Sequence, residues 1–267
     1  MGCGEPKQLY TTDLTDEQWR LLHPFLETPG NAQRGGRPRT YPLRGIVNGI
    51  LYIVKTECQW RLLPSDFAPW QSVYGYFRTW KKQGPWDRAL TLFRMTFRTQ
   101  SGRAAEPTAT IIDAQSIKTC GSGRQRGYDA GKKTTGRKRH IVVDTMGNLL
   151  AACVHSAGIQ DRRGARLLMI RLYALFATLS VIWADGGYSG ALVEWTKQMF
   201  KWRLTIVKRT DAMQGKFVIL PPRWVVERTF AWLGNSRRLS KDYERLTDTA
   251  EVFIKISEIH RLLRRIG

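Results

Sequence analysis

No stretch of about 18 consecutive apolar residues occurs in the sequence, so nothing in it predicts a helix that crosses a membrane. The opening residues MGCGEP lack the basic–apolar–small pattern of a secretory signal. Pro6 stands where a myristoylation signal carries Ser or Thr. These absences predict a cytoplasmic protein without a membrane partner. Cysteine and histidine are scarce. Cys3, Cys58, Cys120 and Cys153 form no C-x-x-C pair, and His23, His140, His155 and His260 are equally dispersed. This predicts free thiols in a reducing compartment and excludes a zinc site of the usual ligand spacing. Acid is the charge in short supply: 22 Asp and Glu stand against 43 Lys and Arg, a formal net charge of +21. That imbalance predicts a polyanionic partner, with nucleic acid first in line. Internal repeats and low-complexity segments are also missing.

The sequence is rich in material for a packed core. Apolar residues make up 42% of 267 residues and ten of them are Trp, enough for two modest domains. The first hundred residues read as helices. In DLTDEQWRLLHPFL, Thr15 and Gln18 form a capping box ahead of the stripe Trp19, Leu22, Phe25 and Leu26. YPLRGIVNGILYIVKTE places Pro42 at a first turn, PWQSVYGYFRTWKKQG repeats Val73, Phe77 and Trp80, and PWDRALTLFRMTFR follows Gly84. The third of these helices carries Arg78, Lys81 and Lys82 after a turn. A helix-turn-helix that touches DNA and a small bundle with a solvated basic face both fit this pattern. Residues 101–109, SGRAAEPTA, read as a linker. A domain boundary is therefore expected near 104, with a helical unit at 1–104 and a second unit at 105–267.

The second unit changes period. TATIIDAQSIKT reads as a buried strand and RHIVVDTMGNLLAACVHSAG as a hairpin. A helix, a strand, a helix, a strand and two further helices follow, in the order β-β-β-α-β-α-β-α with a basic amphipathic helix at the end. This is an α/β unit, and in such sheets the ends of adjacent strands form the functional mouth. Asp113 follows Thr-Ile-Ile and Asp185 follows Val-Ile-Trp-Ala, so both acids fall at strand ends. Glu227 lies in the helical LPPRWVVERTFAWL. By helical spacing it shares a face with Trp224, Phe230 and Ala231, where an acid is partly desolvated unless a cation offsets it. Three carboxylates without His or Cys make a hard, oxygen-only site suited to Mg²⁺ or Mn²⁺. Two such ions about 4 Å apart serve phosphodiester chemistry. Arg223, one turn before Glu227, either pairs with it or holds a phosphate. Asp144 reads as hairpin-turn chemistry, Asp161 as a helix cap and Asp129 as a solvated loop acid.

From Lys118 to Arg139 the sequence packs in Lys118, Arg124, Arg126, Lys132, Lys133, Arg137, Lys138 and Arg139 with Asp129 as the lone acid. This predicts a mobile basic loop beside Asp113, either a clamp on a DNA backbone or a solvated disordered segment. Tyr188 and Trp224 are candidates for stacking on an unpaired base, with core packing the competing role for Trp224.

These motifs resemble the DDE transposases of bacterial insertion sequences, in the insertion-sequence-five group. The resemblance rests on LTDEQWRLLHPFL, GRPRTYPLRGIVNGILYIVKTECQWRLLP, TIIDAQSIKT, GRKRHIVVDTMGNLLA, IWADGGYSG and PPRWVVERTFAWLGNSRRLSKDYER, and runs from about residue 10 to 265. It implies a ribonuclease H-like mixed five-stranded sheet with flanking helices, preceded by an all-helical DNA-binding domain. It implies that Asp113, Asp185 and Glu227 are the catalytic and metal-binding acids, holding two Mg²⁺ or Mn²⁺ ions. Arg223 and Glu227 match a Tyr–Arg–Glu–Lys signature whose Tyr and Lys positions hold Leu220 and Gly234 here. Arg237, Arg238 and Lys241 are candidate substitutes for that Lys. The partners implied are double-stranded DNA, both the element's terminal inverted repeats and a target, and a second copy of the chain on that DNA. A structure-selective nuclease of the same fold and a non-catalytic DNA-binding derivative are the alternatives.

Overall fold

The computed structural model describes residues 9–27, 39–120, 123–207 and 221–266. Helix α1 (Asp16–Leu26) starts at the expected capping box: Thr15 Oγ1 accepts from the Gln18 N–H and the Gln18 side chain accepts from the Thr15 N–H. Helix α2 (Leu43–Thr56) follows Pro42 and buries Ile46, Val47, Ile50, Ile53 and Val54. Helix α3 (Trp70–Gln83) and helix α4 (Pro85–Gln100) share Gly84, which closes one and opens the other at φ +72°. That corner brings Trp80 and Trp86 edge to face, with centroids 5.7 Å apart and both rings buried. The connection from α2 to α3, residues 57–69, contains only a 3-10 turn. It is longer than the roughly three- to four-residue turn of a helix-turn-helix.

The sheet follows. Strand β1 (Ala109–Lys118) pairs antiparallel with β3 (Thr134–Asp144), and β3 pairs antiparallel with β4 (Leu149–Ser156). On its other edge β1 pairs parallel with β5 (Val181–Ala184), which pairs parallel with β6 (Arg203–Ile206). A short strand, β2 (Gly127–Asp129), pairs with β3 at residues 134–136, just beyond the stretch of β3 that β4 occupies. The sheet thus has six strands in five positions, with β2 and β4 end to end. This corrects the expected five-stranded count by one short strand and otherwise gives the mixed, ribonuclease H-like order that the resemblance implied.

Helix α5 (Asp161–Leu175) and helix α6 (Ala191–Phe200) connect β4 to β5 and β5 to β6. With Ile112, Val142, Leu150 and Ile182 they build the core on one face of the sheet. Helix α7 (Pro221–Gly234) and helix α8 (Thr247–Ile266) cover the other face, over Ile111, Ile141 and Val143. The same core continues without a break into α1 to α4, through Leu22, Ile50, Phe77 and Phe93. Side chains alternate along a strand, so Ile112 and Ala114 face α5 while Ile111 and Asp113 face α7.

The segment expected as a mobile basic loop holds strand β2 and the start of β3. Within it Arg137, Lys138 and Arg139 are buried. Arg137 Nη1 lies 2.9 Å from Asp242 Oδ2, and Lys138 Nζ lies 3.2 Å from Asp129 and 2.9 Å from Asp161. Arg139 donates to the Lys241 carbonyl at 3.2 Å. Acids distant in sequence cancel these charges, which a local reading cannot see. Two further expectations change for the same reason. Asp129 is buried, accepting from Ser116 and from the Gly131 and Lys132 N–H groups, instead of solvated. Asp161 opens α5 with its carboxylate on Lys138, while Gln160 holds the cap position. Asp144 does serve the hairpin turn, accepting from the Met146 and Asn148 N–H groups, and it also pairs with Arg98 at 2.8 Å.

Candidate active site

Asp113 and Asp185 meet because β1 and β5 run parallel side by side, with Ile111 opposite Trp183. Two residues on from that pair, Asp185 follows the end of β5, whereas Asp113 stands in the middle of β1, which runs on to Lys118 against β3; the expected strand-end position is corrected for Asp113. Asp113 Oδ1 accepts from the Ala114 N–H at 2.7 Å. Burial pushes its carboxyl up, as does the negative charge of Asp185. The Ala114 N–H and the cations Lys132 and Arg223 pull the other way, and the balance sits at about 6. Asp185 caps the 3-10 turn Gly186–Tyr188, its Oδ1 accepting from the Gly187 N–H at 2.8 Å. A Cβ on Gly187 would stand 3.0 Å from that same oxygen, so the turn is shaped for glycine.

Glu227 is not on the core face of its helix. Helix α7 packs on β1, β3 and β5 through Val225, Val226, Thr229, Phe230 and Leu233. Glu227 lies about 60° beyond the edge of that stripe at 100° per residue. Its side chain is 58% exposed, and Trp224 and Ala231 are exposed with it, while Phe230 is buried. The expected aromatic face is therefore split, and the acid is solvated at the rim of the mouth. Arg223 bridges the gap: its Nη2 is 3.4 Å from Glu227 Oε1 and 4.0 Å from Asp185 Oδ2. A guanidinium thus joins two of the three acids.

Asp113 and Asp185 offer the donor chemistry of a hard divalent cation: two oxygen-only groups that feel each other's charge, one of them partly buried without an ion pair. They fit such an ion. Among the described residues no three His, Cys, Asp or Glu side chains stand close enough to hold one ion together. Glu227 completes the set only by leaving Arg223. Tyr188 is fully buried beneath the acids, edge-on to His140, and its hydroxyl has no partner among the described residues. It cannot stack on a base in this arrangement, whereas Trp224 is open to one.

The basic residues named from sequence divide sharply. Lys118, Arg124, Arg126, Lys132 and Lys133 are exposed around the β1 and β2 ends, and Lys132 Nζ donates to the Ala114 carbonyl beside Asp113 at 2.7 Å. Arg78, Lys82, Arg237 and Lys241 are exposed as well, and Lys81 pairs with Asp248 at 2.7 Å. Arg137, Lys138, Arg139 and Arg238 are buried, the last on Glu244 at 2.7 Å. Arg137, Lys138 and Arg238 are buried on acids and Arg139 on a carbonyl, so none of the four is open to a DNA backbone in this arrangement. Leu220 lies outside the described residues. The sequence reading missed His140 and His155, whose rings stack with nitrogens 2.7 Å apart. It also missed the cations of α7 and α8 around Trp232. Their signal was present, since Arg228 and Trp232 are one turn apart.

Comparison with known proteins agrees with this geometry. Residues 104–256 match the family model described as "Transposase DDE domain", and residues 14–90 match "Putative transposase of IS4/5 family". The chain is 31% identical over 118 residues to the "Insertion element IS402 uncharacterized 16.2 kDa protein" of Burkholderia cepacia, covering 43% of this chain and 78% of that one. It is also 31% identical over 134 residues to the "Putative transposase for insertion sequence element IS402" of the same organism, covering 45% of this chain and 60% of that one. The fold and the acid mouth define an enzyme of the DDE class. The chain belongs to the DDE transposase family of bacterial insertion sequences. Enzymes with this domain generally use divalent metal ions. No helix among the described residues is long and apolar enough to cross a membrane.

Proposed function

We propose that this transposase binds the terminal inverted repeats of its own insertion sequence, cuts a strand at the element's end and joins it to a target DNA. The observation that carries the reading is the meeting of Asp113, in the middle of β1, with Asp185, just past the end of the neighbouring parallel strand β5, with Arg223 and Glu227 of α7 beside them. Asp113, Asp185 and Glu227 would hold two Mg²⁺ or Mn²⁺ ions. Bound there, the ions neutralise phosphate charge and ease deprotonation of the attacking oxygen.

The chain's own residues do the rest. Asp113, fixed by the Ala114 N–H within β1, and Asp185, fixed by the Gly187 N–H just past β5, are the held members of the set. Glu227 is the mobile third member, free to turn inward because its side chain is half in solvent. Arg223 is then released to a backbone phosphate, which restores a partner for its charge. In the first step a water oxygen bonds to phosphorus and the bond from phosphorus to the 3′ oxygen breaks, leaving a 3′-hydroxyl and a 5′-phosphate. In the second step that 3′-hydroxyl oxygen attacks a target phosphorus and displaces the target's own 3′ oxygen. Positioning and charge neutralisation supply the rate. Two copies of the chain on paired element ends would bring both ends to one target. The test is cleavage and joining on DNA carrying the element's end with Mg²⁺. Asp113→Asn and Asp185→Asn are each expected to lose both steps while keeping DNA binding. Strand joining by either variant would overturn the reading.

A further inference from the structure

The outer face of α7 continues from Glu227 into a line of cations that neither fold nor acid mouth requires. Arg228 lies over Trp224 at 4.3 Å and over Trp232 at 4.5 Å. Two arginines of α8 crowd the same indole, Arg261 at 4.4 Å and Arg265 at 4.9 Å. Beyond Trp232 opens a cleft of about 320 Å³ between α8, α7 and α2, with Lys55, His260, Arg264 and Arg265 in its walls and no carboxylate among its lining residues.

Charge compensation here differs from the rest of the molecule. Arg261 pairs with the buried Glu258. Among the described residues, Lys55, Arg228, Arg264 and Arg265 form no ion pair. Lys55 and Arg228 are aimed by single carbonyls, those of Asn235 at 2.8 Å and Met146 at 2.9 Å. Burial and mutual repulsion lower the Arg228 and Arg265 guanidiniums, and burial with Arg264 and Lys55 brings His260 down to about 4, so its ring stays neutral. Cations gathered against their own repulsion, with aromatic faces between them, match a polyanion whose bases can stack. Helix dipole offset accounts for the basic residues in the last turn of α8 and for Lys55 in the last turn of α2. It does not account for Arg228, in the middle of α7, nor for the gathering of these groups from three helices at one cleft.

We propose that this face is a track for the phosphodiester backbone of DNA, running from the catalytic mouth along Trp224, Arg228 and Trp232 into the cleft of Lys55, Arg264 and Arg265. From Trp224 to Trp232 is eight residues, about 12 Å at 1.5 Å per residue. A strand with one phosphate per roughly 3.4 Å of axis fits three or four phosphates along it. The ligand chemistry is a phosphate oxyanion, delivered as a DNA backbone. The track rests on the proposed function for its role at an element's end but not for its affinity.

The test is duplex DNA binding by the full chain across a salt series without divalent metal, wild type against a combined Lys55→Gln, Arg264→Gln, Arg265→Gln variant. Each lost phosphate contact lowers the slope of log affinity against log salt by about 0.9, so a fall of about two to three is expected. Arg264→Glu alone, at an exposed residue with no partner to lose, should lower it by about one and guards against a folding defect. An unchanged slope in both overturns the track. Inorganic phosphate titrated against the same proteins separates the sources. If wild type binds free phosphate, the variant does not, and the DNA slope is unchanged, the cleft serves a small anion and the proposal fails. If the wild type cuts no DNA while the slope still falls in the variants, the proposed function fails and the track stands.

Discussion

Two basic regions of this molecule look alike in sequence and are opposites in structure. The hairpin of β2 and β3 carries Arg137, Lys138 and Arg139 in a row, and it buries all three on Asp242, Asp129, Asp161 and a main-chain carbonyl. The outer face of α7 and the end of α8 carry Arg228, Arg264 and Arg265, which have no ion-pair partner among the described residues. The dense run is structural and the dispersed set is the open surface. Charge density along a chain therefore says little about where a polyanion lands. What decides is whether distant acids fold back onto the cations.

That contrast can be broken by substitution. Arg137→Ala should destabilise the protein most, by about 3–5 kcal/mol, because it leaves Asp242 buried and uncompensated. Chemical denaturation reads this directly, and a loss below about 1 kcal/mol would show that Arg137 is not structural. Next comes acid. The Asp129 carboxyl is raised by burial, but the Ser116 hydroxyl, the Lys132 N–H and Lys138 outweigh this and hold it at about 2. A depressed carboxyl stabilises the fold fully above the ordinary Asp value near 3.9, and that contribution is lost as pH falls toward about 2. Asp129→Asn should flatten the melting-temperature profile between pH 4 and 2. A profile as steep as wild type would show that Asp129 is solvated after all. The smallest stability effect belongs to the open face: Lys55→Gln, Arg264→Gln and Arg265→Gln should each shift stability by no more than about 0.5 kcal/mol. A large loss of melting temperature at any of the three would turn the contrast around.

The acid mouth allows a similar comparison within itself. Asp113 is a partly buried carboxylate raised to about 6 with no ion pair, and Glu227 is a solvated one on Arg223. Removing the charge at Asp113 relieves its desolvation, so Asp113→Asn should raise the melting temperature of the metal-free protein while Glu227→Gln leaves it nearly unchanged. Equal shifts would erase the distinction.

Much of this was legible in residues alone. Asp185 could be placed because β5 ends where an apolar run meets an acid, but β1 runs five residues past Asp113, since its pairing with β3 carries the strand on beyond the apolar run. The capping box of Thr15 and Gln18 and the hairpin turn at Asp144 are local and could be read locally. Glu227 was misplaced on its helix because Trp224 is as apolar as Val225, and only packing on β1 and β5 shows which one faces in. Lys138 could not be read at all without Asp161, which arrives from another element. The extra strand β2 is three residues long, below what any period can reveal.

The most direct test of the central claim is Mg²⁺-dependent cleavage and joining of a DNA carrying the element's end, wild type beside Glu227→Gln. The account predicts that the wild type cuts and joins, and that the variant binds the DNA but does neither. Cleavage and joining at wild-type rates by Glu227→Gln would contradict it, leaving Glu227 only a surface partner of Arg223.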